Sequence, residues 1–144
     1  MVKVLKRGES TITICDLMNH IKENPKIDEC GAIFSFEGIV RGKERDKAIK
    51  KLDMTTPNIK ETENKLKKIV EDTKNKHGVV EIALIHYVGE FDAGDSLFLV
   101  VVAGAHRDET VGALREVIEK TKYELDFKKE EYTNRGTNII MSGG

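Results

Sequence analysis

The sequence predicts an α+β fold in a single domain spanning residues 1–144, an antiparallel sheet packed by about three helices. Two observations carry the sheet. Val79–Val88 and Ser96–Ala105 are apolar runs of strand length, and the Gly- and Asp-containing stretch Gly89–Asp95 between them suits a hairpin connection. A third carries the helices: separate segments space their apolar residues three and four apart. With 144 residues, 39% of them hydrophobic, the chain can bury one real core and is too short for two.

In chain order, Val2–Lys6 reads as a short edge strand. Ile14, Leu17, Met18 and Ile21 then form an amphipathic stripe, with Thr13 as its cap and Asn24-Pro25 as its stop. Cys30–Val40 is a β-rich run ending on Arg41-Gly42. The polar GKERDK stretch is a loop, and a short strand follows near Ala48–Thr55. Thr56-Pro57 opens a second helix, with proline at the first helical position, where its missing N–H costs nothing. Leu66, Ile69 and Val70 form its buried side, and His77-Gly78 stops it. The hairpin comes next, then a third helix over about Asp108–Glu124. Phe127–Tyr132 alternates like a strand, and Asn138–Met141 is placed as a last one.

Charge narrows the function. Charged residues reach 34%, above the roughly 25% of an ordinary domain, and the excess is mostly Lys and Glu. A thermophilic source and a solvated helical surface account for that equally well. The balance of 24 basic against 25 acidic residues argues against non-specific nucleic-acid binding, which depends on a basic excess, but leaves room for a local cationic pocket. No apolar run approaches the roughly 20 residues of a membrane span. The opening MVKVLKRGES has neither an apolar signal core nor a cleavage site, so a soluble, cytoplasmic protein is expected. Cys15 and Cys30 stand alone and far apart; they are read as small core residues, and no metal-ligand cluster is visible.

Five residues invite a chemical reading. Ala105-His106-Arg107-Asp108 ends an apolar strand on an imidazole and a guanidinium, and a helix begins at once. Helix N-termini present unbonded N–H groups and a positive dipole end, so this junction suits a phosphate or carboxylate; equally, His106 and Arg107 could be a strand end and a surface ion pair. In the third helix, Val111, Leu114, Ile118 and Leu125 make an apolar stripe, and Lys122 falls near its centre. Such a lysine either snorkels to an edge or sits desolvated with a depressed pKa. If Phe127 faces inward, period-2 alternation turns Lys129 inward as well and Lys128 outward. Arg41, at the end of a strand beside a Gly-containing loop, either joins a strand-edge pocket or is an ordinary exposed arginine.

At these residues the chain resembles the large subunit of molybdopterin synthase. The resemblance runs through GAIFSFEGIVRG (Gly31–Gly42), IHYVGEFDAGD (Ile85–Asp95), VVVAGAHRDE (Val100–Glu109) and IEKTKYELDFKKE (Ile118–Glu130). It implies an α/β-hammerhead fold, puts Lys122 and Lys129 on the family's two functional lysines, and puts Arg41, His106 and Arg107 on its substrate-binding positions. Phe36 falls on a pocket aromatic. Asp126 and Lys128 stand where the family has a Pro and a Trp, KLDMTTPN replaces a tyrosine-bearing motif, and His86-Tyr87-Val88-Gly89 stands for His-Arg-x-Gly.

The resemblance further implies a sulfurtransferase. A small ubiquitin-like carrier ending in Gly-Gly brings a thiocarboxylate, and two sulfurs pass in turn to cyclic pyranopterin monophosphate to form the molybdopterin dithiolene. No cofactor or metal is needed, and two large subunits form a homodimer at the centre of a heterotetramer. The other reading is a non-catalytic scaffold homologue that docks the same carrier. This chain also ends in Gly143-Gly144. Either that end is an ordinary frayed terminus, or it docks in a neighbouring subunit's pocket in imitation of the carrier.

Overall fold

The computed structural model describes residues 1–141, so the expectation attached to Gly143-Gly144 lies outside the described residues. Among those described, three helices, α1 (Ile14–Lys22), α2 (Ile59–His77) and α3 (Arg107–Tyr123), accompany eight strands. The strands are β1 (Val2–Lys6), β2 (Ala32–Ile39), β3 (Lys43–Glu44), β4 (Lys47–Thr55), β5 (Glu81–Phe91), β6 (Ser96–Gly104), β7 (Lys128–Thr133) and β8 (Gly136–Ile140). None of the described helices is long and apolar enough to cross a membrane.

The sheet runs β2-β6-β5-β4-β7-β8, and its pivot is β5. Along one edge β5 pairs with β6 through Glu81–His86; along the other it holds β1 through Leu84–Val88 and then β4 through Gly89–Phe91. One strand thus joins a helix-covered sheet to a smaller β4-β7-β8 sheet. The β1–β5 pair is parallel, an exception to the expected antiparallel pattern. β6 is buried residue after residue from Phe98 to Gly104 because α1 and α3 both lie against it. A two-sided cover selects a continuous apolar run rather than alternation.

The helix ends follow their local chemistry. Thr13 and Asp16 form a reciprocal capping box at the start of α1. α2 starts two residues later than its proline suggested: the Asn58 side-chain carbonyl accepts from Glu61 N–H at 3.0 Å, so Asn58 is the cap, Ile59 is the first helical residue and Pro57 precedes both. Gly78 ends α2 at φ +67°, a left-handed cap that costs glycine little. The GKERDK loop contains the two-residue strand β3, turned back onto β4 through Arg45 at φ 55°. Neither cysteine is a fully buried core residue. Cys15 is exposed; Cys30 is half-buried, with its thiol pushed up mainly by burial and then by nearby Glu29 and Asp28.

α3 departs most from expectation. Its buried stripe is Thr110, Ala113, Val117 and Thr121, whereas Val111 is 45% exposed and Lys122 is exposed. Small residues lie inward because the helix approaches β6 closely: a Cβ on Gly104 would sit 2.4 Å from Thr110 Oγ1. The buried threonine hydroxyls donate to carbonyls one turn back, Thr110 to His106 O at 2.6 Å and Thr121 to Val117 O at 2.7 Å. Lys122 therefore lies beside the stripe rather than at its centre.

Candidate functional site

A cavity of about 430 Å³ opens where the two sheets meet. The end of β2 supplies Phe36, Ile39 and Arg41, the last turn of α3 supplies Lys122, and β7 supplies Lys129 and Glu131. Strand alternation explains the β7 pair: Phe127 and Glu131 are buried, Lys129 between them is half-buried, and all three share a parity. Register then sets Lys129 beside Met54 and Glu131 beside Leu52 of β4.

Three cations thus converge on one cavity. Arg41 pairs with Glu44 at 3.2 Å near the surface. Lys129 has its pKa lowered, first by burial; Glu131 and Glu44 act in the opposite direction, while the positive charges of Lys122 and Arg41 lower it further. Behind the cations lies an aromatic wall. Phe36 meets Phe98 edge-on with centroids 5.8 Å apart, and His86 lies 5.1 Å from Phe98 and stacks on Phe127 at 4.1 Å. His86 is fully enclosed and its pKa is pulled down to about 4, mainly by burial, against its hydrogen bond to Tyr87 O, with Lys129 nearby lowering it further. Its Nδ1 lies 2.9 Å from that carbonyl, which can only accept, so Nδ1 carries the proton. At the rim, Ile39 is 56% exposed.

His106 and Arg107 lie elsewhere. They line a second hollow with Gly31, Ala105, Asp108 and Glu109. Glu109 accepts from the His106 backbone N–H at 2.5 Å and lies 3.0 Å from its Nδ1. Because β2 and β6 are antiparallel, Ala32 faces Gly104 while Gly38 faces Phe98. Arg41 lies beyond one end of that ladder and His106 beyond the other, and the ladder from Ala32 to Gly38 alone is roughly 20 Å long at about 3.3 Å per residue. One chain alone therefore does not form the single anion site expected from Arg41, His106 and Arg107.

Sequence reading missed Glu131, although the period-2 argument that turned Lys129 inward applies equally two residues later. The diverged motifs have local structural roles. Tyr87 is buried, and its hydroxyl both accepts from Ile12 N–H at 2.7 Å and donates to Ile12 O at 3.0 Å. Asp126 reaches Lys65 of α2 at 3.5 Å.

A cationic cavity with an aromatic wall and an apolar rim, set at the junction of two sheets, has the chemistry of a ligand-binding site that suits an anion carrying flat or extended apolar surface. The family is settled by comparison. The MoaE protein family model matches residues 8–124, and the chain belongs to that family. The molybdopterin synthase catalytic subunit of Escherichia coli strain K12 is 31% identical over 114 residues, covering 78% of this chain and 75% of that one. That of Dictyostelium discoideum is 30% identical over 115 residues, covering 77% and 72%. Molybdopterin synthase from Staphylococcus aureus shares the fold at a TM-score of 0.81 and 22% identity, covering 96% of each chain. A complex of subunits 1 and 2 of molybdopterin-converting factor from Helicobacter pylori matches at 0.70 and 23%, covering 98% of this chain and 89% of the matched one.

Proposed function

We propose that this chain is the catalytic subunit of a molybdopterin synthase, a sulfurtransferase that passes sulfur from the thiocarboxylated C-terminus of a small carrier to cyclic pyranopterin monophosphate. The convergence of Lys122, Lys129 and Arg41 on one aromatic-walled cavity carries this reading. The apolar rim around Ile39 suits an extended glycine-ended tail, and exposed Lys122 can meet the thiocarboxylate as it enters. There it neutralises the incoming charge and stabilises the oxyanion that develops at the acyl carbon. Lys129 is deeper and desolvated, which suits holding the pterin or relaying a proton. Phe36 lines the ring slot.

His106 and Arg107 enter this scheme only through a second copy of the chain. In a homodimer, the α3 N-terminus of one subunit could approach the cavity of the other and bind the phosphate by charge-assisted hydrogen bonds, opposite Arg41. The expected assembly is a cytoplasmic heterotetramer, two of these chains at the centre and a carrier at each end. Reconstitution tests the proposal: the purified chain, a thiocarboxylated carrier and the cyclic pyranopterin should yield the dithiolene product. Carrier binding without any product would leave a scaffold and overturn the enzyme reading.

A further inference from the structure

Beside its cations the cavity holds one buried carboxylate with an oxygen left over. Glu131 is only 7% exposed, yet its Oε2 meets no hydrogen-bond donor among the described residues. A buried carboxylate oxygen without a donor is costly, and where it faces a cavity a bound donor can satisfy it. Strand register fixes where it points: Glu131 shares the inward face of β7 with Phe127 and Lys129 and lines the same cavity as Phe36 and Arg41.

We infer that the Glu131 carboxylate is a specificity determinant which accepts N–H hydrogen bonds from the nitrogen heterocycle bound in this cavity. The inference rests on the functional reading above and supplies what that reading lacks, a group that recognises the ring rather than its charge. Arg41, Lys122 and Lys129 select anionic ligands but cannot tell one phosphorylated or carboxylated molecule from another. A carboxylate can. Its unbonded Oε2 can accept from a ring N–H or exocyclic amino group of a 2-amino-4-oxo heterocycle, and Phe36 lines the same cavity. A site with a buried acceptor also rejects flat anions that lack the donor, because the acceptor then stays unbonded. The glycine tail of a carrier offers single, separated peptide N–H groups. It enters past exposed Arg41 and Lys122, whereas Glu131 sits at the buried depth of the cavity.

The test is direct binding of cyclic pyranopterin monophosphate, measured by titration calorimetry on the intact chain alone and with its carrier, for wild type, Glu131→Gln and Glu131→Asp. Gln presents an N–H₂ donor in place of one acceptor; Asp retracts the carboxylate by one methylene. Both variants should bind the pyranopterin roughly ten- to a hundredfold more weakly. Carrier affinity should hold, and the melting temperature of Glu131→Gln should hold or rise, since a desolvated carboxylate is removed. Unchanged pyranopterin affinity in both variants overturns the inference. So does weakened carrier binding with unchanged pyranopterin binding, which would give the carboxylate to the peptide. A lowered melting temperature in Glu131→Gln with normal affinity in Glu131→Asp also overturns it, leaving Glu131 a structural partner of Lys129. Failure of wild type to bind the pyranopterin at all, with or without carrier, refutes instead the functional reading beneath it.

Discussion

Replacing Lys122 by alanine separates chemistry from folding more cleanly than any other change in the cavity. Lys122 is exposed on the flank of α3, outside the Thr110–Ala113–Val117–Thr121 stripe, so truncation removes no core contact. Stability should change by no more than about 0.5 kcal/mol, the usual range for a surface substitution. Catalysis should respond differently. A charge about 4 Å from a developing oxyanion is worth about 4 kcal/mol at an effective dielectric of about 20. Loss of a single oxyanion-stabilising donor typically costs roughly 3–4 kcal/mol, or 10²–10³ in turnover. Lys122→Ala should therefore lose at least a hundredfold in single-turnover dithiolene formation while its melting temperature stays within about 2 °C of wild type. Lys120 provides the control: it lies two residues away, faces Glu116 at 3.7 Å and stays out of the cavity, so Lys120→Ala should turn over normally. A folded Lys122→Ala protein with wild-type turnover would refute the catalytic role, and equal losses in both variants would point to a general charge effect.

Three further outcomes follow from other parts of the structure. Because burial and its cationic neighbours depress Lys129, its protonated form is lost below the ordinary lysine value of 10.5; activity should fall on the alkaline side before that pH, and Lys129→Arg, which keeps its charge, should move that limb upward in a pH–rate profile. His86 binds its proton at about 4 in the folded chain against 6.5 unfolded, so stability is complete above about pH 6.5 and is lost as pH falls toward 4, by roughly 3 kcal/mol in all. His86→Phe, which keeps the stack on Phe127, should flatten that slope in urea melts between pH 4 and 7, and an unaltered slope would place the acid sensitivity elsewhere. Gly104→Ala sets a Cβ 2.4 Å from Thr110 Oγ1, where β6 hands over to α3, and should cost about 1–3 kcal/mol by chemical denaturation; no measurable loss would mean that α3 shifts away without strain.

Periodicity made much of this chain readable in advance. The strands Ala32–Ile39, Glu81–Phe91 and Ser96–Gly104 and the three helices were legible because an apolar run or a 3.6-residue stripe reports directly which face meets other chain segments. The inward turn of Lys129 was legible for the same reason, since alternation along a strand admits only two faces. Lys122 was assigned to the site, but on a mistaken face. Counting Thr110 and Thr121 as polar hid the buried stripe of α3, because a threonine that bonds its own helix backbone packs like a small apolar residue.

Tertiary structure alone decided which candidates meet. Arg41, Lys122 and Lys129 come from three elements brought together where β5 passes from β1 to β4, a branching encoded in no local window of sequence. The same antiparallel pairing sends His106 and Arg107 to the far end of the β2–β6 ladder, although sequence had grouped them with Arg41. Chain sequence thus determined the residue types and, along the strands, the faces they occupy, because facing there is a local consequence of backbone period. Which faces share a cavity, and which buried oxygen goes without a donor, depend on strand register and sheet order, which are fixed only when distant segments pair.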